Sequence, residues 1–193
     1  MSAVKEQLVA HINNCRGAAL DERAIARKMF LLDPTFAFRA DSITGFKILN
    51  SISEKFRVPL SCVKIAGSSQ TGFSSFQNRD FIAGESDLDI AVVSPSLFQR
   101  YCEIVYNITN GYKDQTGFPN PKSFEYFQEC LQIGFFRPDL MPTCKQKTEW
   151  FGFFKTLTDR YSMTFKNVNG GIYFSEIFFE GKQLAAIKKL TEV

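Results

Sequence analysis

Residues 88–93, Leu-Asp-Ile-Ala-Val-Val, make a run apolar enough for a central strand covered on both faces. Yet Asp89 lies inside it and Asp87 stands at its head. In a strand, residues i and i+2 point to the same side, so the two carboxylates stand together while Leu88 and Ile90 face a core. Two anions that close repel each other unless something positive lies between them. A hard divalent cation, Mg²⁺ or Mn²⁺, is the natural relief, because carboxylate oxygen is the ligand it prefers and it keeps positions open for phosphate.

A second strand precedes this one. Ser61-Cys62-Val63-Lys64-Ile65-Ala66 alternates in polarity and ends at Gly67-Ser68-Ser69. A glycine there lets backbone approach a phosphate closely, and the serines offer hydroxyl donors. Residues 70–86 are polar, hold Gly72 and Gly84, and predict a turn followed by a long loop or hairpin. Gly67 and Gly72 have P-loop spacing, but no Lys-Ser or Lys-Thr follows, so this is not a P-loop.

Around these strands the periodicity is helical. Val4, Leu8 and Ile12, then Ile25, Met29 and Leu32, predict helix over 3–32, broken near Gly17, with Asp21 capping the second segment and Pro34 ending the region. A further helix is expected from Asp41 or Ser42 through Phe56. Ser94-Pro95-Ser96 begins another carrying Leu97, Tyr101 and Val105; residues 109–122 read as loop; helices follow at 123–134 and 145–161. Val168 to Phe174 reads as a third strand with a bulge at Gly170-Gly171, and Ser175 caps a final helix. The expected fold class is α+β: one domain over 1–193, with helices in 1–58, the strand pair in 61–94, and helices and the third strand in 95–193.

The pattern Gly67-Ser68-Ser69-Gln70-Thr71-Gly72, then Ser86-Asp87-Leu88-Asp89-Ile90, resembles the signature of the DNA polymerase β-type nucleotidyltransferase superfamily. The resemblance covers about residues 61–94. It implies a small mixed sheet flanked by helices, and transfer of a nucleoside monophosphate from a nucleoside triphosphate to a hydroxyl or other acceptor with Mg²⁺ or Mn²⁺. By position, Gly67, Ser68, Ser69 and Gly72 would hold the nucleotide, and Asp87 and Asp89 would bind metal and catalyse. The acceptor would be a protein, an RNA or a small molecule. Small bacterial members often belong to toxin–antitoxin or phage-defence systems. Two features depart from the pattern. The interval before Asp87 is long, as if a hairpin around Phe76 to Gly84 were inserted. The third strand carries no acid, where catalysing members usually place one; Glu176, just past its end, is the first choice for the missing catalytic carboxylate and Glu180 the second. Without such a group the chain would bind nucleotide as a sensor or act as a partner-binding scaffold. A subunit that uses only the fold is a third class.

Bulk properties exclude more than they select. The net charge is +3 with no basic run longer than Lys188-Lys189, which argues against strong duplex-DNA binding. Arg100, Lys113 and Lys122 are cations that could face a triphosphate, but spacing does not choose among them. Five scattered cysteines without Cys-x-x-Cys spacing predict neither a zinc site nor a redox pair, and fit a reducing cytoplasm. No apolar stretch reaches the roughly 18 residues of a spanning helix, so no membrane partner is expected. His11, the one histidine, reads as a surface or packing residue, and Trp150 as core. The 21 phenylalanines mean either a Phe-rich core or an exposed aromatic face for a partner or for stacking on bases, and a protein partner or oligomerisation is open.

Overall fold

A computed structural model describes residues 2–115 and 117–191. Among these residues the chain is α+β: eight α-helices, a mixed four-stranded sheet and a small hairpin. The helices are α1 (Ala3–Gly17), α2 (Glu22–Arg27), α3 (Ser42–Phe56), α4 (Gly67–Thr71), α5 (Pro95–Ile108), α6 (Pro121–Gln132), α7 (Lys145–Arg160) and α8 (Glu176–Thr191). The sheet strands are β1 (Val63–Ala66), β4 (Leu88–Val93), β5 (Phe135–Phe136) and β6 (Val168–Tyr173), and β2 (Phe73–Ser74) with β3 (Arg79–Asp80) makes the hairpin. No helix among the described residues is long and apolar enough to cross a membrane.

Local chemistry explains most boundaries. Asp21, Asp41, Ser94 and Asn120 each accept a backbone N–H three residues on, which closes the first turns of α2, α3, α5 and α6. Pro95 and Pro121 occupy first-turn positions, where a missing N–H costs nothing. Pro121 therefore starts α6 two residues before the 123 expected from the sequence. Gly17 ends α1 as expected, and after α2 the chain continues as a wider π-helical turn over Lys28–Leu32 before Pro34.

The sheet order is β1-β4-β6-β5. β4 runs antiparallel to β1 and parallel to β6, and β5 pairs antiparallel with β6 over only Phe135↔Tyr173 and Phe136↔Ile172. Strand alternation then sorts the core into two layers. Leu88, Ile90 and Val92 join Val63, Ile65, Val168 and Ile172 in one cluster with Ile52, Val105, Trp150 and Phe154. Ala91, Val93 and Tyr173 face the other way, toward Ile12, Ile25, Phe179 and Ile187. Phenylalanine fills both layers: Phe127, Phe136, Phe165 and Phe179 are sealed from solvent, while Phe46, Phe76, Phe151 and Phe174 remain exposed. Most of the Phe excess among the described residues is thus core. Trp150 is packed, and His11 sits near the surface with its Nε2 2.9 Å from Asp33.

The diglycine is not a bulge. β6 keeps unbroken register with β4 from Leu88↔Val168 to Val93↔Tyr173. A Cβ on Gly170 would lie 2.2 Å from the Phe154 ring, and one on Gly171 would lie 2.4 Å from Phe135. Glycine is required because two aromatic rings lie flush on the strand, one from each side.

Candidate functional site

Ala66 pairs with Asp89, so Gly67 emerges from β1 directly beside that aspartate. Gly67 has φ +63°, and a Cβ there would meet Asp89 Oδ2 at 2.5 Å. The carboxylate therefore rests against bare backbone, in a place no other residue can occupy without strain. The Gly-Ser segment is not a simple turn; it winds into the single-turn helix α4.

On its other side Asp89 is paired with Asn169 of β6 and accepts a hydrogen bond from it. One rung earlier, Asn167 Nδ2 donates to Asp87 Oδ1 at 2.9 Å. An Asn-x-Asn on β6 thus faces the Asp-x-Asp of β4. Burial pushes the Asp89 carboxyl up to about 6, the charge of Asp87 adds to this, and the Asn169 bond partly offsets it. Such a carboxylate is under-compensated by the protein itself, and a cation would relieve it.

Asp89, Gly67, Ser68, Asn167 and Asn169 line one end of a cleft of about 970 Å³. The hairpin, α7 and α8 form its other walls. Asp87 lies outside the lining, just upstream of β4. The sequence-chosen serines separate here. Ser68 faces the cleft with a hydroxyl that makes no hydrogen bond among the described residues. Ser69 is sealed from solvent, and its hydroxyl donates to the Ala66 carbonyl at 2.9 Å, so it is a structural residue. Gly72 is likewise no phosphate contact: it caps α4 at φ +85°, pressed against the Phe36 ring. Gln70 is buried and holds Thr35 and the carbonyls of Met29 and Asp33.

The third carboxylate is neither glutamate. Because β6 runs parallel to β4, its start lies beside the aspartates and its end beside Val93. β6 ends at Tyr173, four rungs or about 13 Å along the strand from the Asp89 level, and Glu176 follows beyond that end and is exposed. Glu180 is buried, but its two oxygens bind Arg23 (3.0 Å) and Arg27 (2.9 Å), which ties α8 to α2. The position next to Asp89 on the neighbouring strand is held by Asn169, an amide of the same shape as the acid.

Among the described residues no three His, Cys, Asp or Glu side chains group as metal ligands. The donor set is two carboxylates with two carboxamides beside them. That suits one hard cation completed by water or phosphate, since Mg²⁺ is commonly held by one or two carboxylates. A second ion would have fewer charges to hold it.

No family model, curated protein or solved structure matches the chain.

Sequence spacing missed the cations. Arg100, Lys113 and Lys122 do not line the cleft; Arg137, Lys155 and Lys182 do, from three separate elements. Arg137 is engaged by Asp139 and Lys155 by Asp159 at 2.7 Å. Lys182 has no acid partner among the described residues and lies 6.0 Å from the Phe135 ring centroid.

Proposed function

We propose that the chain is a metal-dependent nucleotidyltransferase of the polymerase β type. In this reading it takes a nucleoside triphosphate into the cleft and passes the nucleoside monophosphate to a protein, RNA or small-molecule acceptor. The observation that carries the reading is the contact of Gly67 with Asp89, which puts a bare backbone and an under-compensated carboxylate at one end of a nucleotide-sized cleft. Asp87 and Asp89 would hold Mg²⁺ or Mn²⁺, which when bound supplies Lewis-acid polarisation of the phosphates. Gly67 leaves room for the Asp89 carboxylate at the cleft end, Ser68 donates its free hydroxyl, and Lys182 supplies positive charge from the opposite wall. Asn167 and Asn169 orient the two carboxylates.

A second reading, nucleotide binding without turnover, is favoured by Asn169. An amide cannot accept a proton from an attacking hydroxyl, and it adds no negative charge to hold a second ion. Both readings predict metal-dependent binding that is lost in Asp87→Ala/Asp89→Ala. They part on transfer. Purified protein would be incubated with each α-³²P-labelled nucleoside triphosphate, Mg²⁺ or Mn²⁺ and a cell extract, with the double variant alongside. Aspartate-dependent label in protein, RNA or small molecules supports the transferase. Binding without label, with label gained in Asn169→Asp, supports the sensor reading. No metal-dependent binding at all overturns both.

A further inference from the structure

Helix α8 carries a buried stripe made of Phe179, Gln183, Ile187 and Leu190, with Glu180 beside it. The polar members of this group are not equivalent. Glu180 is satisfied by two arginines. Gln183 is only 5% exposed, yet its carboxamide has no hydrogen-bond partner among the described residues. Its polar atoms are not sealed, so the unused donor and acceptor reach the cleft and are free for a ligand. Across from it stands Tyr173, also 5% exposed, stacked on Phe135 at 4.5 Å and edge-on to Phe179 at 5.2 Å. Its hydroxyl makes no hydrogen bond among the described residues either. Burial holds that phenol neutral, so it can donate as well as accept. Both residues line the cleft that ends at Asp89 and Gly67. Two nine-tenths-buried polar groups therefore open onto the same cavity with their bonding capacity unused.

We infer that Gln183 and Tyr173 form the seat of a nucleobase. The inference rests on the proposed nucleotide site and gives it a second end. A carboxamide offers a donor and an acceptor side by side, the arrangement that pairs with the edge of a base, and the phenol adds one more contact. Planar rings are at hand for stacking: Phe135 lies beside Tyr173, and Phe76, largely exposed on the hairpin, lines the same cleft. The spacing agrees. Tyr173 and Asn169 share a face of β6 with their backbones four residues, about 13 Å, apart, and the Asp89 charge still reaches the phenol, so phosphates at Asp89 and a base at Gln183 would share one continuous cavity. Lys182, next to Gln183 in sequence, lines the same cleft and adds positive charge to it.

The test is calorimetric binding to the full chain. The probes are the Mg²⁺ complexes of ATP, GTP, CTP and UTP, with inorganic tripolyphosphate as the base-free control. The wild type is expected to bind at least one nucleotide on the order of tenfold or more tighter than tripolyphosphate. Gln183→Leu is expected to bring that nucleotide down to the tripolyphosphate level while leaving tripolyphosphate binding unchanged. Tyr173→Phe, which removes one oxygen and keeps the ring stack, reduces the same preference if Gln183→Leu fails to fold. Gln183→Glu, with two acceptors in place of a donor and an acceptor, reorders the four nucleotides. If tripolyphosphate binds and all four nucleotides bind equally to it, or if the preference survives these variants, the base seat is wrong and the metal–phosphate end stands. If neither tripolyphosphate nor any nucleotide binds with Mg²⁺, the nucleotide site falls and the base seat with it.

Discussion

Asp89→Asn is expected to make the metal-free protein more stable, by an amount that grows with pH. The folded protein holds the Asp89 proton up to about pH 6, against 3.8 for the free side chain. That difference is worth about 3 kcal/mol. The sign follows from proton binding. Between these values the folded state binds more protons than the unfolded one, so stability falls as pH rises through the window and stays low above it. Asparagine does not titrate and has nearly the same shape, so the two proteins should be similarly stable near pH 4 and differ by about 3 kcal/mol at pH 8. For a chain of this length that is roughly 6–12 °C in Tm. The assay is thermal and urea unfolding in EDTA from pH 4 to pH 8. Adding Mg²⁺ at pH 8 should then raise the stability of the wild type and not that of the variant. A gap that does not change with pH, or a variant less stable than wild type at pH 8, would refute the account of Asp89 as a carboxylate strained by burial.

Gly67→Ala puts a methyl group into Asp89 Oδ2 at a positive φ; it should cost about 1–2 kcal/mol in urea unfolding and at least tenfold in metal-dependent triphosphate binding by calorimetry. Gly170→Ala must displace the Phe154 ring from a 2.2 Å contact, with an expected loss of about 1–3 kcal/mol; an unchanged urea midpoint would contradict the flush packing. Glu180→Ala frees Arg23 and Arg27, which are 52% and 59% exposed and so remain hydrated. The expected loss is about 2 kcal/mol, less than for a pair buried on both sides, read as a lower Tm with nucleotide binding retained.

The elements with strong local signals were legible in the sequence. The caps at Asp21, Asp41 and Ser94, the break at Gly17 and the apolar strand 88–93 all rest on chemistry within a few residues. What was not legible depends on where distant segments meet. Glu176 is close in sequence to the third strand but belongs to its far end, and only the parallel pairing of β4 with β6 reveals which end that is. A signal for Asn169 was present: Asn167-x-Asn169 repeats the two-residue period of Asp87-x-Asp89. Ser69 and Gly72 could not be told from Ser68 and Gly67 by type, because a one-turn helix rotates alternate residues away from the cleft. Arg137, Lys155 and Lys182 converge from separate elements, which no spacing rule detects. Gly170-Gly171 read as a bulge because glycine in a strand often marks one; the rings that demand it lie 16 and 36 residues away, at Phe154 and Phe135.

That diglycine has a consequence beyond packing. Where other strands separate two layers by side chains on both faces, β6 separates them at this point by backbone alone, with Phe154 against one glycine and Phe135 against the next. A ring pushed on the α7 side has no rotamer to yield to it and bears on the peptide plane, which carries the push to the face where Phe135 and Tyr173 lie, while Phe154 itself lines the cleft from α7. The strand is a thin diaphragm. Changes in ring size at Phe154 should therefore alter the cavity twice, directly at the α7 wall that this ring helps to line and across the strand at Phe135.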